Sequence, residues 1–529
     1  MFGKRGFYLG SMFEQAAARH GGVSVTLDRP LDVAPETGLQ HTYATMADLV
    51  ADLAAMLHAA GVRRSDRVAV YKTDNVDIVL ITCALSRLGA VPALLSPTLD
   101  GRVVGALLER MGRPWLISDD AKLSGPLSHV DVSATTRRVL VVGPDAARTS
   151  KAGEDPLRAY AGAARQSMVR VAPFEPALIT HSSGTTGLPK LAVHCPNALW
   201  NRLVPQKIMG WPSRGETAAL CMSYVHSRFY HALGVFLHYG SPLVLLVDHE
   251  PESVAPLLVK ARPGIVETHP NTFVLWEELA DAPGAPLSNV GFYGSTFDAI
   301  HPRTIQRLLG ASKRRFPILM QLYGQSETGP VVARWFTRRG AAQANGRLIG
   351  TPIPGFTRVR IVDDEGRPCA RGAQGHIEAR TRGRILTYLS ADEQYARQLN
   401  AGWWGMGDVG HRSRWGGVYL ADREIDQIDA VHSNLELEDL LMSRLEDLRE
   451  IVIVRGVSGE PVPVVCTRTD SPLSPDRWQA AVAGLPAMAA PVVCRFDDLP
   501  RTGTWKIKRV EIARLLADSQ SLSRNWVAS

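Results

Sequence analysis

From Thr42 to His58 apolar side chains recur at helical spacing, at Met46, Leu49, Val50, Leu53, Met56 and Leu57. This spacing predicts a helix with Thr45 as its N-cap and Gly61 closing it. Apolar runs and helical stretches then alternate: a strand over 67–72, a helix over 75–88, a strand over 90–96, a helix over 101–111 and a strand over 115–118. Such alternation predicts a parallel, layered α/β sheet. The rhythm returns with a strand over 218–223, a helix over 228–238, a strand over 243–247 and a helix over 251–260, a second α/β half. Between the halves, 151–174 is polar and Ala-rich with a helical tendency, a connector leading into a strand at 177–180.

From Arg358 the pattern shifts to short strands, 358–362 and 376–380, joined through Asp363-Asp364-Glu365-Gly366, which predicts a β-rich subdomain. After Arg423 come a helix at 435–445, strands at 451–455 and 462–467, and a helix at 475–482, a unit of typical domain size. The expected fold class is α/β: a large N-terminal domain, 1–422, of two layered α/β halves plus the β-rich subdomain, and a small α+β C-terminal domain, 423–529.

A chain of 529 residues, 45% hydrophobic and 21% charged, is too long for one core and ordinary for a globular protein. The net charge of +7 favours anionic ligands, but the basic residues are scattered, so nucleic acid is not an expected partner. The densest basic cluster, Lys313-Arg314-Arg315, reads as the solvated end of a helix. Six widely spaced cysteines form no C-x-x-C pair, which fits reduced thiols in the cytoplasm. The stretch 6–18 is broken by Glu14 and Gln15, so no signal peptide is expected, and 78–95 is interrupted by Arg87, Gly89 and Pro92, so no membrane span is expected.

Ser182 to Lys190 reads SSGTTGLPK. Small residues let backbone N–H groups approach a polyphosphate, four hydroxyls (Ser182, Ser183, Thr185, Thr186) can donate, and Lys190 adds a compact cation. It is not a Walker A loop, because Leu191 stands where a Mg²⁺-binding hydroxyl belongs. Taken alone, the stretch reads equally as a polar turn between strands.

SSGTTGLPK resembles the phosphate loop of the adenylate-forming superfamily of acyl-CoA synthetases, peptide-synthetase adenylation domains and luciferases. Tyr323 to Thr328 (YGQSET), Gly407-Asp408 leading to Asp422-Arg423, and Pro500 to Arg509 (PRTGTWKIKR) follow in that family's order and span most of the chain. The resemblance implies ATP and Mg²⁺, a mobile C-terminal domain and activation of an acid as its AMP ester. It implies triphosphate binding by Ser182, Ser183, Gly184, Thr185, Thr186, Gly187 and Lys190. An adenine-edge loop is implied at Gly294-Ser295-Thr296, adenine stacking by Tyr323 beside Gly324, a hydroxyl near the α-phosphate from Ser326, and a Mg²⁺ ligand in Glu327. Asp408 would take the ribose hydroxyls, Arg423 ribose or phosphate, and His226 would line the acid pocket with Phe229, Tyr230 and His231 narrowing it. Lys506 is the expected adenylation lysine, with Lys508 its local rival. Two unit charges about 4 Å apart at an effective dielectric near 20 repel by roughly 4 kcal/mol, about a thousandfold in rate, so a cation between acid and phosphate matters.

The resemblance also breaks. Trp505 stands where the family has Gly, Ser326 where it has Thr, and Glu424-Ile425-Asp426 changes the hinge. AVHSNLEL, 430–437, lacks the glycine expected near His432 beside the CoA passage. Three readings follow: an acid:CoA ligase by default; an adenylating enzyme whose acceptor is a carrier-protein thiol or an amine, with an acid that can be small or inorganic; and a non-catalytic nucleotide-binding homologue.

Overall fold

The structure, a computed structural model, describes residues 6–143, 154–182, 188–296, 299–342, 345–502, 505–518 and 527–528. Tyr43–Ala60 forms the first long helix, and Gly61 closes it in a left-handed conformation. Its N-cap is Thr42, not Thr45: the Thr42 side chain accepts from the Thr45 N–H while the Thr45 hydroxyl accepts from the Thr42 N–H, a reciprocal capping box. Two threonines three apart made the sequence ambiguous by one turn. The helix buries Tyr43, Met46, Val50, Leu53 and Leu57 as the pattern requires.

The alternation resolves into two sheets. In the first, Val91–Leu94, Arg67–Val70, Trp115–Asp119 and Arg138–Val142 run parallel, and Leu178–His181 joins beside Val91–Leu94. Leu191–His194 returns antiparallel to Leu178–His181, so the polar stretch lies between two strands. These two strands enclose the SSGTTGLPK loop, of which Ser183 to Gly187 lie outside the described residues. The second sheet is parallel through Leu243–Leu245, Ala218–Cys221, Ile265–Thr268, Phe292–Thr296 and Ile318–Gln325, then turns antiparallel at Gly329–Thr337.

The expected β-rich segment is continuous with the second sheet: Leu348–Pro352 pairs both with Gly329–Thr337 and with Val418–Arg423. One expectation is corrected. The connector before residue 177 is not helical beyond one 3-10 turn, Leu157–Tyr160, preceded by the short strand Glu154–Pro156; residues 151–153 lie outside the described residues. Lys313 to Arg315 follow the helix Pro302–Ala311 as expected, but Arg314 is ion-paired to Glu216. No helix among the described residues is long and apolar enough to cross a membrane.

Residues after Arg423 build a four-stranded sheet from Leu448–Arg455, Pro461–Thr467, Val492–Val493 and Val527–Ala528, with the helices Asn434–Arg444, Pro475–Val482 and Arg509–Ala517. One face carries Val452, Val454, Val464 and Phe496 into the same apolar cluster as Phe273, Trp276 and Leu279. Around it, Arg468 pairs with Glu277, Arg449 with Glu278, and Arg347 with Asp439. His301 lies between Asp439 and Glu450, each 3.1 Å from one ring nitrogen. Burial opposes the His301 charge, but Glu450 and Asp439 outweigh it and push its pKa up to about 10.

That shift has a sign. The folded pKa lies above the unfolded value near 6.5, so the contribution is complete below about 6.5 and is lost as pH rises through about 10. His301→Gln should therefore lower Tm at pH 7, on the order of 3 kcal/mol for a broken buried pair, with a smaller wild-type-to-mutant gap at pH 10.5. Melting curves with an equal gap at both pH values would contradict this.

Candidate active site

A cavity of about 610 Å³ opens where the two large sheets meet the C-terminal residues. Ser182, Lys190, His226, Thr296, Gly324, Ser326, Glu327, Asp408, Arg423 and Lys506 all line it. These positions are dispersed over more than three hundred residues of sequence, and the topology gathers them. Asp408 and Arg423 stand directly opposite in the antiparallel pair Trp403–Arg412 and Val418–Arg423. Tyr323 does not reach this cavity; it lines an adjoining cleft, and its hydroxyl donates to Asp408 Oδ2 at 2.5 Å. Burial raises the Asp408 carboxyl above its ordinary range, against the pull of Arg423, Tyr323 and Lys506.

Gly294, Ser295 and Thr296 are not a loop. They are the buried end of the strand Phe292–Thr296, and only Thr296 faces the cavity. Gly294 instead makes room: a Cβ there would stand 2.9 Å from Glu267 Cγ. The motif was too short for its sequence to separate a strand end from a turn.

Glu327 sits in the turn between Ile318–Gln325 and Gly329–Thr337, and that turn is fastened by a residue for which no sequence motif spoke. Arg202, buried in the helix Pro196–Gly210, donates to the carbonyls of Gly383, Ser326 and Glu327 at 2.6, 2.9 and 3.0 Å. Burial drives the Arg202 pKa down to about 10, with Glu327 opposing. Gly329, at φ +67°, leaves space for its stem, since a Cβ would lie 2.6 Å from Arg202 Cδ. Tyr388, equally unmarked in the sequence, donates to Glu327 Oε1 at 2.6 Å, and Lys190 Nζ lies 5.1 Å from its ring centroid. One tyrosine thus links Lys190 to Glu327. A cation on an aromatic face gains about 0.5–2 kcal/mol, enough to hold Lys190 at the cavity wall.

No three His, Cys, Asp or Glu side chains gather as a metal cluster among the described residues. A magnesium ion in a nucleotide site takes one or two carboxylates and fills its shell with phosphate oxygens and water. Glu327, buried yet facing the cavity, fits that demand.

His226 is the N-cap of the helix Ser227–Tyr239. Its ring lies 5.5 Å from that of His181, and burial, His181, His269 and Lys506 together hold its pKa well below the ordinary value. His181 is fixed as one neutral tautomer: its Nε2 accepts from the Ser96 N–H, so Nδ1–H donates to the Ser182 carbonyl at 2.8 Å. Burial pushes His269 down to about 3. The imidazoles around Lys506 are thus uncharged. Along the same helix Ser227, Arg228 and His231 face the cavity, whereas Phe229 and Tyr230 do not narrow it. Phe229 packs edge-on against Tyr224, and the Tyr230 hydroxyl donates to Thr82. Helical spacing puts positions i, i+1 and i+4 on one face and turns the two aromatics into the core.

Lys506 enters from the C-terminal residues. Its N–H donates to Thr502 Oγ1 while the Thr502 N–H donates to its carbonyl. Trp505 adopts the left-handed conformation, φ 60°, that glycine takes at no steric cost. The contacts that hold it there come from residues far back in the chain: its ring is 4.1 Å from that of His249, and Asn271 donates to its carbonyl. Lys508 lines no part of this cavity and pairs with Glu511. His432 is exposed, just before Ser433, which caps the helix Asn434–Arg444.

A profile described as AMP-binding enzyme matches residues 13–389. The chain is 54% identical over 529 aligned residues, 97% of it and 96% of the relative, to 3-amino-2-hydroxy-4-methoxybenzoate diazotase of Streptomyces cremeus. It is 24% identical to 3-aminoavenalumate diazotase of a Streptomyces species, covering 87% of each chain. Its fold is similar to that of the anthranilate CoA ligase AuaEII in complex with anthranoyl-AMP, with TM-score 0.81, 17% identity and 98% of each chain covered.

Lys506→Ala should lower the rate of ATP-dependent pyrophosphate release about a thousandfold, by the repulsion it leaves uncancelled, while ATP still binds by calorimetry. Unchanged pyrophosphate release would remove Lys506 from the reaction.

Proposed function

The chain belongs to the AMP-binding enzyme family and is an adenylate-forming ligase; from that premise we propose that it is an ATP-dependent diazotase acting on an aromatic amine, with nitrite as the acid. The observation that carries this reading is the 54% identity, over nearly the full length of both chains, to a protein named as a diazotase. The family's chemistry then supplies the route. A nitrite oxygen attacks the α-phosphorus of ATP, the bond to pyrophosphate breaks, and nitrosyl-AMP forms. The amine nitrogen attacks the nitrosyl nitrogen, the N–O bond breaks and AMP leaves. The N-nitrosammonium so formed gives one N–H proton to solvent, the remaining N–H hydrogen moves to the nitroso oxygen to make a diazohydroxide, and hydroxide departs, protonated to water, leaving the aryl diazonium ion. No oxidant or reductant is needed.

In this reading Ser182, Ser183, Gly184, Thr185, Thr186, Gly187 and Lys190 cradle the triphosphate, and Asp408 with Arg423 holds the ribose. Thr296, Gly324 and Ser326 border the adenine and α-phosphate, with Gly294 and Ser295 supporting from within their strand and Tyr323 holding Asp408 from the adjoining cleft. Glu327 would hold Mg²⁺, which supplies charge neutralisation on the phosphates. Lys506 lies between nitrite and the α-phosphate. His226, uncharged, closes the acid side without adding charge of its own. An aromatic amine is uncharged near neutral pH, so its lone pair attacks without a dedicated base.

We take the chain to divide at Arg423 into a large unit, 1–422, that binds ATP, and a small one, 423–529, that carries Lys506. An amine acceptor of small size is supported by the junction. Ser433 donates to the Ala421 carbonyl, and Asn434 bonds to both Asp422 and the Asp426 carbonyl, so the segment near His432 is tied down where the family passes CoA.

With ATP, Mg²⁺ and nitrite the enzyme should release pyrophosphate, and adding an aminobenzoate should give a diazonium ion, trapped as an azo dye in amounts equal to AMP. CoA in place of the amine should give no thioester. Pyrophosphate release only with an aromatic carboxylic acid, followed by its CoA thioester, would overturn the reading.

A further inference from the structure

Arg228 is the second residue of the helix Ser227–Tyr239, lines the cavity, and has only 10% of its side chain exposed. It is held from two sides. One terminal nitrogen donates to Glu267 on the strand Ile265–Thr268, and the other donates to the Gln206 side-chain oxygen. Gln206 is itself fixed, donating to the Arg202 carbonyl at 2.9 Å, and Gly294 leaves the space that Glu267 fills. The guanidinium has five N–H donors in a rigid fork, and these two bonds use two of them. Its Nε is buried with no hydrogen-bond partner among the described residues.

Glu267 balances the charge of the guanidinium, and what stays unmet is its hydrogen-bonding capacity, a buried donor that is costly to leave without a partner. Nitrite does not meet this need, because its oxygens are engaged at the α-phosphate beside Lys506. The remaining wall of the cavity belongs to the acceptor. Resting on the diazotase reading, the geometry points to Arg228 as the anchor for an anionic ring substituent, a carboxylate, on the aromatic amine. The fork geometry suits the two oxygens of a planar carboxylate. Glu267 and Gln206 are positioning residues, which fix the fork's plane and so set which ring position the amino group occupies relative to the carboxylate. The first turn of the helix adds backbone N–H groups and the positive end of its dipole at the same wall.

The test uses the full-length enzyme with ATP, Mg²⁺ and nitrite, and compares kcat/KM for 3-aminobenzoate with that for aniline, the same amine without the carboxylate. The wild type should favour 3-aminobenzoate on the order of a hundredfold, because a site built around a polar partner rejects the analogue lacking it. Arg228→Met should bring the ratio close to one, through KM for 3-aminobenzoate. Arg228→Lys, a point charge without the fork, should leave an intermediate ratio. Should Arg228→Met fail to fold, a ratio lowered at least tenfold in Arg228→Lys sustains the inference and an unchanged ratio overturns it. A wild type that releases pyrophosphate with nitrite but treats the two amines alike overturns this inference alone. A wild type that releases none with nitrite, yet does so with an aromatic dicarboxylate, overturns the diazotase reading and gives Arg228 a different anion.

Discussion

Bringing one anion against another is the constraint around which this molecule is arranged. An oxyanion approaching the α-phosphate of ATP meets a like charge, and a gap of roughly 4 kcal/mol must be closed by cations set in place before the reaction. Lys190 reaches the cavity from the first sheet, Arg423 from the second and Lys506 from the C-terminal residues. The neighbouring imidazoles of His226 and His269 are held uncharged by burial, with Lys506 pushing the same way. The positive charge lining this part of the cavity therefore comes from the lysines and Arg423 and not from the imidazoles.

Such an arrangement depends on the residues after Arg423 staying seated against the second sheet's helices. An apolar face of Val452, Val454, Val464 and Phe496 is rimmed by ion pairs from Arg468, Arg449 and Arg347, and His301 is clamped by two carboxylates. Trp505 completes the seat. A left-handed tryptophan costs about 1–2 kcal/mol, and its contacts with His249 and Asn271 offset that strain. Where a glycine would leave the lysine loop free to turn, this side chain fastens it to the strand ends beneath. The same logic runs through Arg202, whose single guanidinium joins the Ser326–Glu327 turn to Gly383 and to Ser227 at the head of the pocket helix.

How far the sequence foretold this varied with the kind of interaction. The α/β alternation was legible because buried strands and amphipathic helices impose their periods locally, as in Arg67–Val70 and Tyr43–Ala60. Ordered motifs located Glu327, Asp408, Arg423 and Lys506, and the fold brings all four to one cavity. Antiparallel pairing of Leu191–His194 was hidden, since four residues after a polar loop carry no period of their own. Arg202, Tyr388 and Glu267 were hidden for another reason. Each acts through a partner more than twenty residues distant in the chain, and an arginine in an apolar helix looks the same whether it is solvated or stapled. Arg228 lies two residues beyond His226, and nothing in its sequence neighbours separates a guanidinium facing the cavity from one on a solvated helix face. The aromatics that follow it proved to be core.

Whether nitrite itself displaces pyrophosphate can be read by isotope tracing. With doubly ¹⁸O-labelled nitrite, ATP and an aminobenzoate, nucleophilic attack of nitrite on the α-phosphorus leaves one labelled oxygen in AMP, and mass spectrometry should find AMP heavier by that one atom. AMP that carries no label while the amine is still converted to its diazonium ion would contradict this, because nitrite would then never have been joined to the α-phosphorus.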